Sequence, residues 1–505
     1  MISHKKSQVS RISAALHTNL ILIIILCTAV ILWAWIFTLA SSEFLEGSTR
    51  PLRAVWSGTG HFELFGMTIY YDFEGYADYD YYYYSWGEQF VNGIPPYTDL
   101  FNTIEFNTAQ YQTPYFFPPL FVYMCALGML LPINPFGIAF LLAMFGFLTA
   151  FPIYGISRYL SQNPHVAEIS VATYLFNPII LYHTVYSWLN PSPFVFFMIL
   201  SFYLLMRGNR LTGVLAMTTA ALLKQTAFFM ALPLVAFLLV KRVPSDHSST
   251  PDEEPRRKLE FDLRGFARYS VYTAVYVLAI SFPYVLNLGN YLYYIFQRPG
   301  AFLIEDITTL PDVSQPITIT VLLILLGAPA VLTELVNQAT YLGVFLTISM
   351  CAIFLLMFLL KREHDDVRIY WRKMFLLSLL LMFCVHLFSP RGIYKYYCVA
   401  LIPFISVLSV SRMFSAAEEP VRPTLFMVLN PMVFSVLILF PTRYVYLFFL
   451  ILLFVGYVLH KQFSLFIEMA NQSLKRVFSY LRLRSKGIPG TEFHEDTEEI
   501  PNPHS

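Results

Sequence analysis

Charge is scarce in this sequence. Of its 505 residues only 13% are Asp, Glu, Lys or Arg, about half the share found in soluble domains, while 57% are hydrophobic and 17% aromatic. That balance excludes a soluble globular class and points to an integral membrane protein. Cysteine is also sparse. Cys27, Cys125, Cys351, Cys384 and Cys398 all fall in apolar stretches, with no Cys-x-x-C and no nearby His cluster, so neither a disulfide framework nor a zinc site is expected. No glycine-rich turn of the Rossmann or P-loop kind occurs, which removes the usual cradle for a nucleotide-linked donor. The first apolar run, Asn19 to Ala40, is too long and too poor in small residues for a removable signal peptide, and reads as a retained anchor.

What is present is a series of apolar runs of about 20 residues, long enough to cross a hydrocarbon core of about 30 Å. With the first run, those near 136–157, 166–184, 192–206, 211–224, 226–240, 268–288, 338–360, 373–389, 396–411, 423–440 and 444–460 make twelve candidate spans. The expected fold class is an all-α polytopic membrane protein. Two more apolar stretches, Phe116 to Leu131 and Ile317 to Val336, contain breaks at Pro118-Pro119 and at Gly327-Ala328-Pro329. Counting the first as a span would move the basic loops at 241–268 and 361–373 to the outside, so both are expected as external interfacial helices.

Charge sets the sidedness. Lys5, Lys6 and Arg11 precede the first run, which places residues 1–18 in the cytoplasm by the positive-inside rule. The arrangement puts 26 of the 33 Lys and Arg on that side, including those of a cytoplasmic loop at 241–267. The membrane domain is expected to span 19–460. Residues 461–486 have the spacing of an amphipathic surface helix, with apolar Phe463 to Leu481 beside Lys475, Arg476, Arg482 and Arg484, suited to an anionic leaflet. Residues 487–505 are acidic and polar, and are expected to be a disordered tail. Both termini are then cytoplasmic. Short cytoplasmic loops without a retrieval signal suggest the cell membrane.

The external loop, 41–115, carries ten acids against Arg50 and Arg53. Its centre, "YADYDYYYYSWGEQF", places Asp78 and Asp80 among tyrosines. Facing it at the ends of apolar runs stand Lys224-Gln225 and, later, Arg391 with Lys395; charges there are costly unless partnered or used. Such cations suit the phosphate of a lipid-linked anion, a carboxylate opposite can accept the proton of an attacking hydroxyl, and tyrosines offer flat faces for sugar rings. Paired carboxylates with a phosphate could also hold Mg²⁺ or Mn²⁺.

These residues resemble a known family. "ADYDYYYY…GIPPYTD" followed by "YFFPPLFVY", then "LLKQTAFFMALP" and "SPRGIYKYYCVALIPF", are similar to blocks of the GT-C superfamily of polyprenol-phosphate-sugar-dependent glycosyltransferases, especially family 87 and the GPI mannosyltransferase I catalytic subunits. The resemblance implies a GT-C-like bundle and an inverting hexosyltransferase. It would move a sugar, commonly mannose, from a polyprenyl or dolichyl phosphate to an external lipid or glycan acceptor. Asp78 and Asp80 match the Asp-x-Asp pair, one of which would be the catalytic base. Lys224, Arg391 and Lys395, with Gln225, Tyr79 and Tyr81, would bind substrate. The element Pro118-Pro119-Leu120 lacks the family's preceding Arg. The Trp-Trp-Asp-Tyr-Gly signature of oligosaccharyltransferases is absent.

Blander readings stand beside these. Asp78 and Asp80 can be solvated loop acids, the tyrosine run an aromatic belt at the headgroups, and Lys224 a residue snorkelling to the interface. His183 reads as a helix-end histidine and Glu88 as a structural acid, with Asp72 and Glu74 as weaker copies of Asp78. A polytopic transporter or lipid flippase is the alternative class, although the charges gather at the outer rim and no internal repeat is visible. An inactive relative serving as a complex subunit is a third, against which the intact Asp78 and Asp80 argue only weakly.

Overall fold

Long runs of Leu, Ile, Val and Phe without internal charge favour helices whose every backbone polar group is satisfied within the segment. The computed structural model describes residues 19–47, 56–98, 103–106, 109–112, 114–241, 260–298, 303–309, 318–363, 367–410, 421–441, 447–448, 450–452 and 455. The expected N-terminal segment, most of the 241–267 loop, the amphipathic helix at 461–486 and the acidic tail lie outside these residues.

Helix α1, Leu20–Gly47, has no charge before Glu43. Most of its side chains face outward, as on a lipid-facing span. It is tied to the bundle by Trp33, whose indole donates to the Leu175 carbonyl at 2.9 Å. The segment after α1 then folds in a way that hydropathy did not foreshadow. Strands β1 (Trp56–Leu64) and β2 (Met67–Glu74) form an antiparallel hairpin, closed by Phe65 and Gly66, both at positive φ. That is the backbone a two-residue turn needs to match strand twist. A π-helical turn, Asp78–Tyr84, runs into α2, Ser85–Val91. A second hairpin pairs β3 (Thr103–Phe106) with β4 (Ala109–Gln112).

The bundle continues through α3 (Pro119–Met129), α4 (Gly137–Leu148), α5 (Ala150–Ser161), α6 (Pro164–Leu175), α7 (Pro191–Met206), α8 (Arg210–Leu223), α9 (Ala231–Leu239), α10 (Leu263–Ser281), α11 (Ala330–Tyr341), α12 (Val344–Glu363), α13 (Val367–Phe388), α14 (Ile402–Val410) and α15 (Phe426–Leu439). Proline stands at the first position of α3, α6 and α7, where its missing N–H costs nothing. Helices α3 and α4 meet so closely that a Cβ on Gly137 would stand 2.0 Å from the Gly128 carbonyl oxygen; only glycine fits there.

Twelve spans are not what the described residues form. Three helices are long and apolar enough to cross a membrane: Leu20–Glu46, Gly137–Ser161 and Val367–Phe388. Two bent pairs raise the number to five: α10 with Tyr284–Gln297, at 93°, and α11 with α12, at 63°. The other apolar helices are shorter. At 1.5 Å per residue α8 reaches only about 21 Å and α3 about 16 Å, against a core of about 30 Å. The second leftover stretch divides at Gly327-Ala328-Pro329 into a short helix, Ile319–Leu325, and the start of α11, which bends at Gly343 into α12.

Part of the tyrosine run is core. Tyr79, Tyr83 and Trp86, at helical spacing, are at most 1% exposed. They pack with Phe44, Tyr115, Phe121 and Trp188, largely edge to face, a preferred geometry for aromatic quadrupoles. Tyr79 also donates to the Pro135 carbonyl at 2.6 Å and accepts from the Ala139 N–H at 3.3 Å. Tyr79→Phe is therefore expected to cost about 1 kcal/mol, seen as a lower midpoint of thermal aggregation in detergent. An unchanged midpoint would show that these two bonds contribute nothing net.

Candidate functional site

Helix α8 stops at Lys224, where the backbone turns extended (φ −152°, ψ 136°) before a 3₁₀ turn, Gln225–Met230. The break swings the lysine inward, so it does not snorkel. It is only 4% exposed, and its ammonium donates to Asn190 Oδ1 at 2.5 Å. Four rings surround the charge: Tyr397 at 4.1 Å, Tyr396 at 5.3 Å, and Phe117 and Phe194 at 5.7 Å. An ammonium among aromatic faces is attracted by their quadrupoles, most strongly when water is excluded.

Asp78 supplies the counter-charge. It opens the π-helical turn, and residues two apart on a helix do not face each other, so Asp78 and Asp80 diverge. Asp78 lies toward Lys224, Tyr396 and Tyr83. Burial pushes its carboxyl pKa up, while the Tyr396 hydroxyl, the Lys224 charge and the Tyr83 hydroxyl pull it down. Asp80 is sensed by Tyr79 instead. Among the described residues no group of three or more His, Cys, Asp or Glu side chains could hold a metal.

The remaining predicted residues divide. Arg391 lies in the turn after α13, exposed, with its guanidinium 5.8 Å from the Phe116 ring, and its charge acts on Lys224 and Tyr397. It belongs to the cluster. Lys395 does not share a helical face with it, because Gly392 at φ +68° turns the chain between them. Lys395 is fully buried and donates to the carbonyls of Asp72 (2.8 Å), Leu439 (2.9 Å) and Pro441 (2.7 Å), with the Asp72 carboxylate at 2.9 Å. These contacts tie Lys395 to the first hairpin and to the end of α15. Gln225 is used similarly, donating to the carbonyls of Phe116 and Ile295. Tyr79 is enclosed in the aromatic core and presents no face to a sugar, whereas Tyr81 is half-buried. His183 is buried edge-on to Tyr182.

Asn190, Tyr396, Tyr397 and Phe117 were missed as site residues. The tyrosine pair directly after Lys395 and the asparagine before "PSP" were visible, yet only the folded chain shows that both meet Lys224.

One comparison bears on the function expected from the sequence. Residues 102–306 match the family model of the GPI transamidase subunit PIG-U. No curated protein matches the chain. The PIG-U match contains Phe117, Asn190, Lys224 and Gln225, while Asp78, Arg391 and the Tyr396-Tyr397 pair lie outside it. It overturns the expectation of a hexosyltransferase, and with it the mannosyltransferase activity, the family 87 assignment and the polyprenyl-phosphate donor, since PIG-U belongs to a complex that attaches proteins to GPI and does not transfer sugars. The transporter alternative falls with it. Over these residues the chain is similar to a multi-pass membrane protein of the GPI pathway, and the match does not support the cell membrane as its location. The geometry accords with the correction, because Lys224 and Lys395 are already coordinated by the protein.

Proposed function

We propose that this chain is a non-catalytic, membrane-embedded subunit of a GPI transamidase, working in the endoplasmic reticulum membrane within a multi-subunit complex. The observation that carries the reading is the PIG-U match over residues 102–306. The internal use of the cations supports it. A donor phosphate would have to compete with Asn190 and four aromatic rings for Lys224, and with three carbonyls and Asp72 for Lys395. Both lysines instead join distant parts of the chain, which is what a scaffold requires. The Asp78–Lys224–Tyr397 cluster then fixes the external segment on the bundle, in the shape a partner subunit would recognise.

Depleting the chain from cells tests this. The expected result is accumulation of complete GPI lipid together with unprocessed precursor proteins, and loss of GPI-anchored proteins from the surface. Accumulation of a GPI intermediate lacking a sugar would overturn the proposal.

A further inference from the structure

A second feature lies far from the Lys224 cluster, between α5 and α7. These helices run in parallel: Phe145, one turn before α5, meets Phe196 with ring centroids 5.6 Å apart, and further along Gly155 lies against Tyr203. A Cβ on Gly155 would stand 2.2 Å from that ring, so the glycine permits the approach. Between these contacts an apolar groove of about 290 Å³ is walled by Phe151 and Pro152 on one side and Phe196 and Leu200 on the other. Phe151 is half exposed, at 51%, on the long apolar segment Gly137–Ser161. The groove is therefore a lateral one, facing the bilayer.

Each wall ends in an arginine. Phe151, Gly155 and Arg158 follow one face of α5, and Phe196, Leu200, Tyr203 and Arg207 one face of α7, at spacings of three and four residues. Arg158 is in the last turn of α5, Arg207 caps α7, and both are exposed. Helical side chains lean toward the helix N-terminus, which here is toward the groove. From Phe196 to Arg207 is about 16 Å, close to half of a core of about 30 Å, or one leaflet.

We propose that the groove between α5 and α7 holds an acyl chain of an anionic phospholipid whose net-negative headgroup lies at Arg158 and Arg207. The apolar walls match the chain, the two arginines match a net-negative headgroup by charge, and the depth matches one leaflet. The lipid sits in the leaflet on the base-rich side, which the positive-inside rule makes cytoplasmic. The site does not depend on the transamidase reading and stands or falls separately from it.

The test is titration of the purified full-length chain in detergent with palmitoyl-oleoyl phosphatidylserine, phosphatidylcholine or tail-less glycerophosphoserine, with the bound species read by native mass spectrometry. Phosphatidylserine is expected to bind more tightly than phosphatidylcholine, and glycerophosphoserine not to bind. With each arginine near the surface contributing a few-fold, the Arg158→Gln/Arg207→Gln protein should bind phosphatidylserine about thirtyfold more weakly. Leu200→Trp, which fills the groove while leaving both arginines, should reduce binding with an unchanged gel-filtration profile. Equal affinity for the two phospholipids, or undiminished binding by either variant, would overturn the proposal.

Discussion

Lys395→Met is expected to destabilise the protein by about 3–5 kcal/mol, the range seen when one partner of a buried ion pair is removed. Methionine has nearly the length of lysine but no donor. It would remove the hydrogen bonds to the carbonyls of Asp72, Leu439 and Pro441 and the charge paired with the Asp72 carboxylate. These groups belong to β2, the end of α15 and the turn following it, so one side chain holds the first hairpin to a helix more than 300 residues away. Lys395→Arg is not expected to rescue, because a planar guanidinium cannot direct its donors as a tetrahedral ammonium does. Asp72→Asn keeps the carbonyl bonds and should cost less, about 1–3 kcal/mol. The measurement is the fraction of monodisperse protein surviving a temperature series in detergent. Wild-type survival of Lys395→Met would show that Lys395 is not a brace.

The second large effect concerns Asp78 and Lys224. Lys224→Met leaves the Asp78 carboxylate in an aromatic surround and is expected to cost about 3 kcal/mol, the low end for buried pairs because Asp78 keeps some exposure, whereas Asp78→Asn should cost less because burial already favours the neutral form of that carboxyl. The double variant should lose less than the sum, with a coupling of about 1–3 kcal/mol; strict additivity would mean that the two charges do not act on each other. A pH profile gives an independent check. Burial raises the folded pKa of Asp78, so the folded state binds more protons than the unfolded one between the ordinary carboxylate value and the raised one. Stability must then fall as pH rises through that window, and Asp78→Asn should remove this part of the slope.

Much of the membrane character was legible in composition. The apolar runs and scarce charge required helices, and the loop at 41–115 stood out by its acids and tyrosines. The number of crossings was not legible, because hydropathy does not report where a helix stops. Lys224 ends α8 early, and Gly327-Ala328-Pro329 precedes α11, which then bends into α12. The function was misread for a related reason. The Asp-x-Asp pair and three cations have the residue types of a sugar-transfer site, but residue types do not show which cations are already satisfied.

The sequence by itself determined that the chain is helical and membrane-embedded, and that Lys224, Arg391 and Lys395 are charges costly without a partner or a task, since burial of apolar surface and the cost of stranded charge depend on composition and local order. Only the tertiary structure decided which partners they find. Asp78 and Asp80 diverge because their segment is helical and not extended, Lys395 meets Asp72 across 323 positions, and Tyr79 turns into the core. Long-range pairing depends on where helices break and how they pack, and no local pattern encodes that.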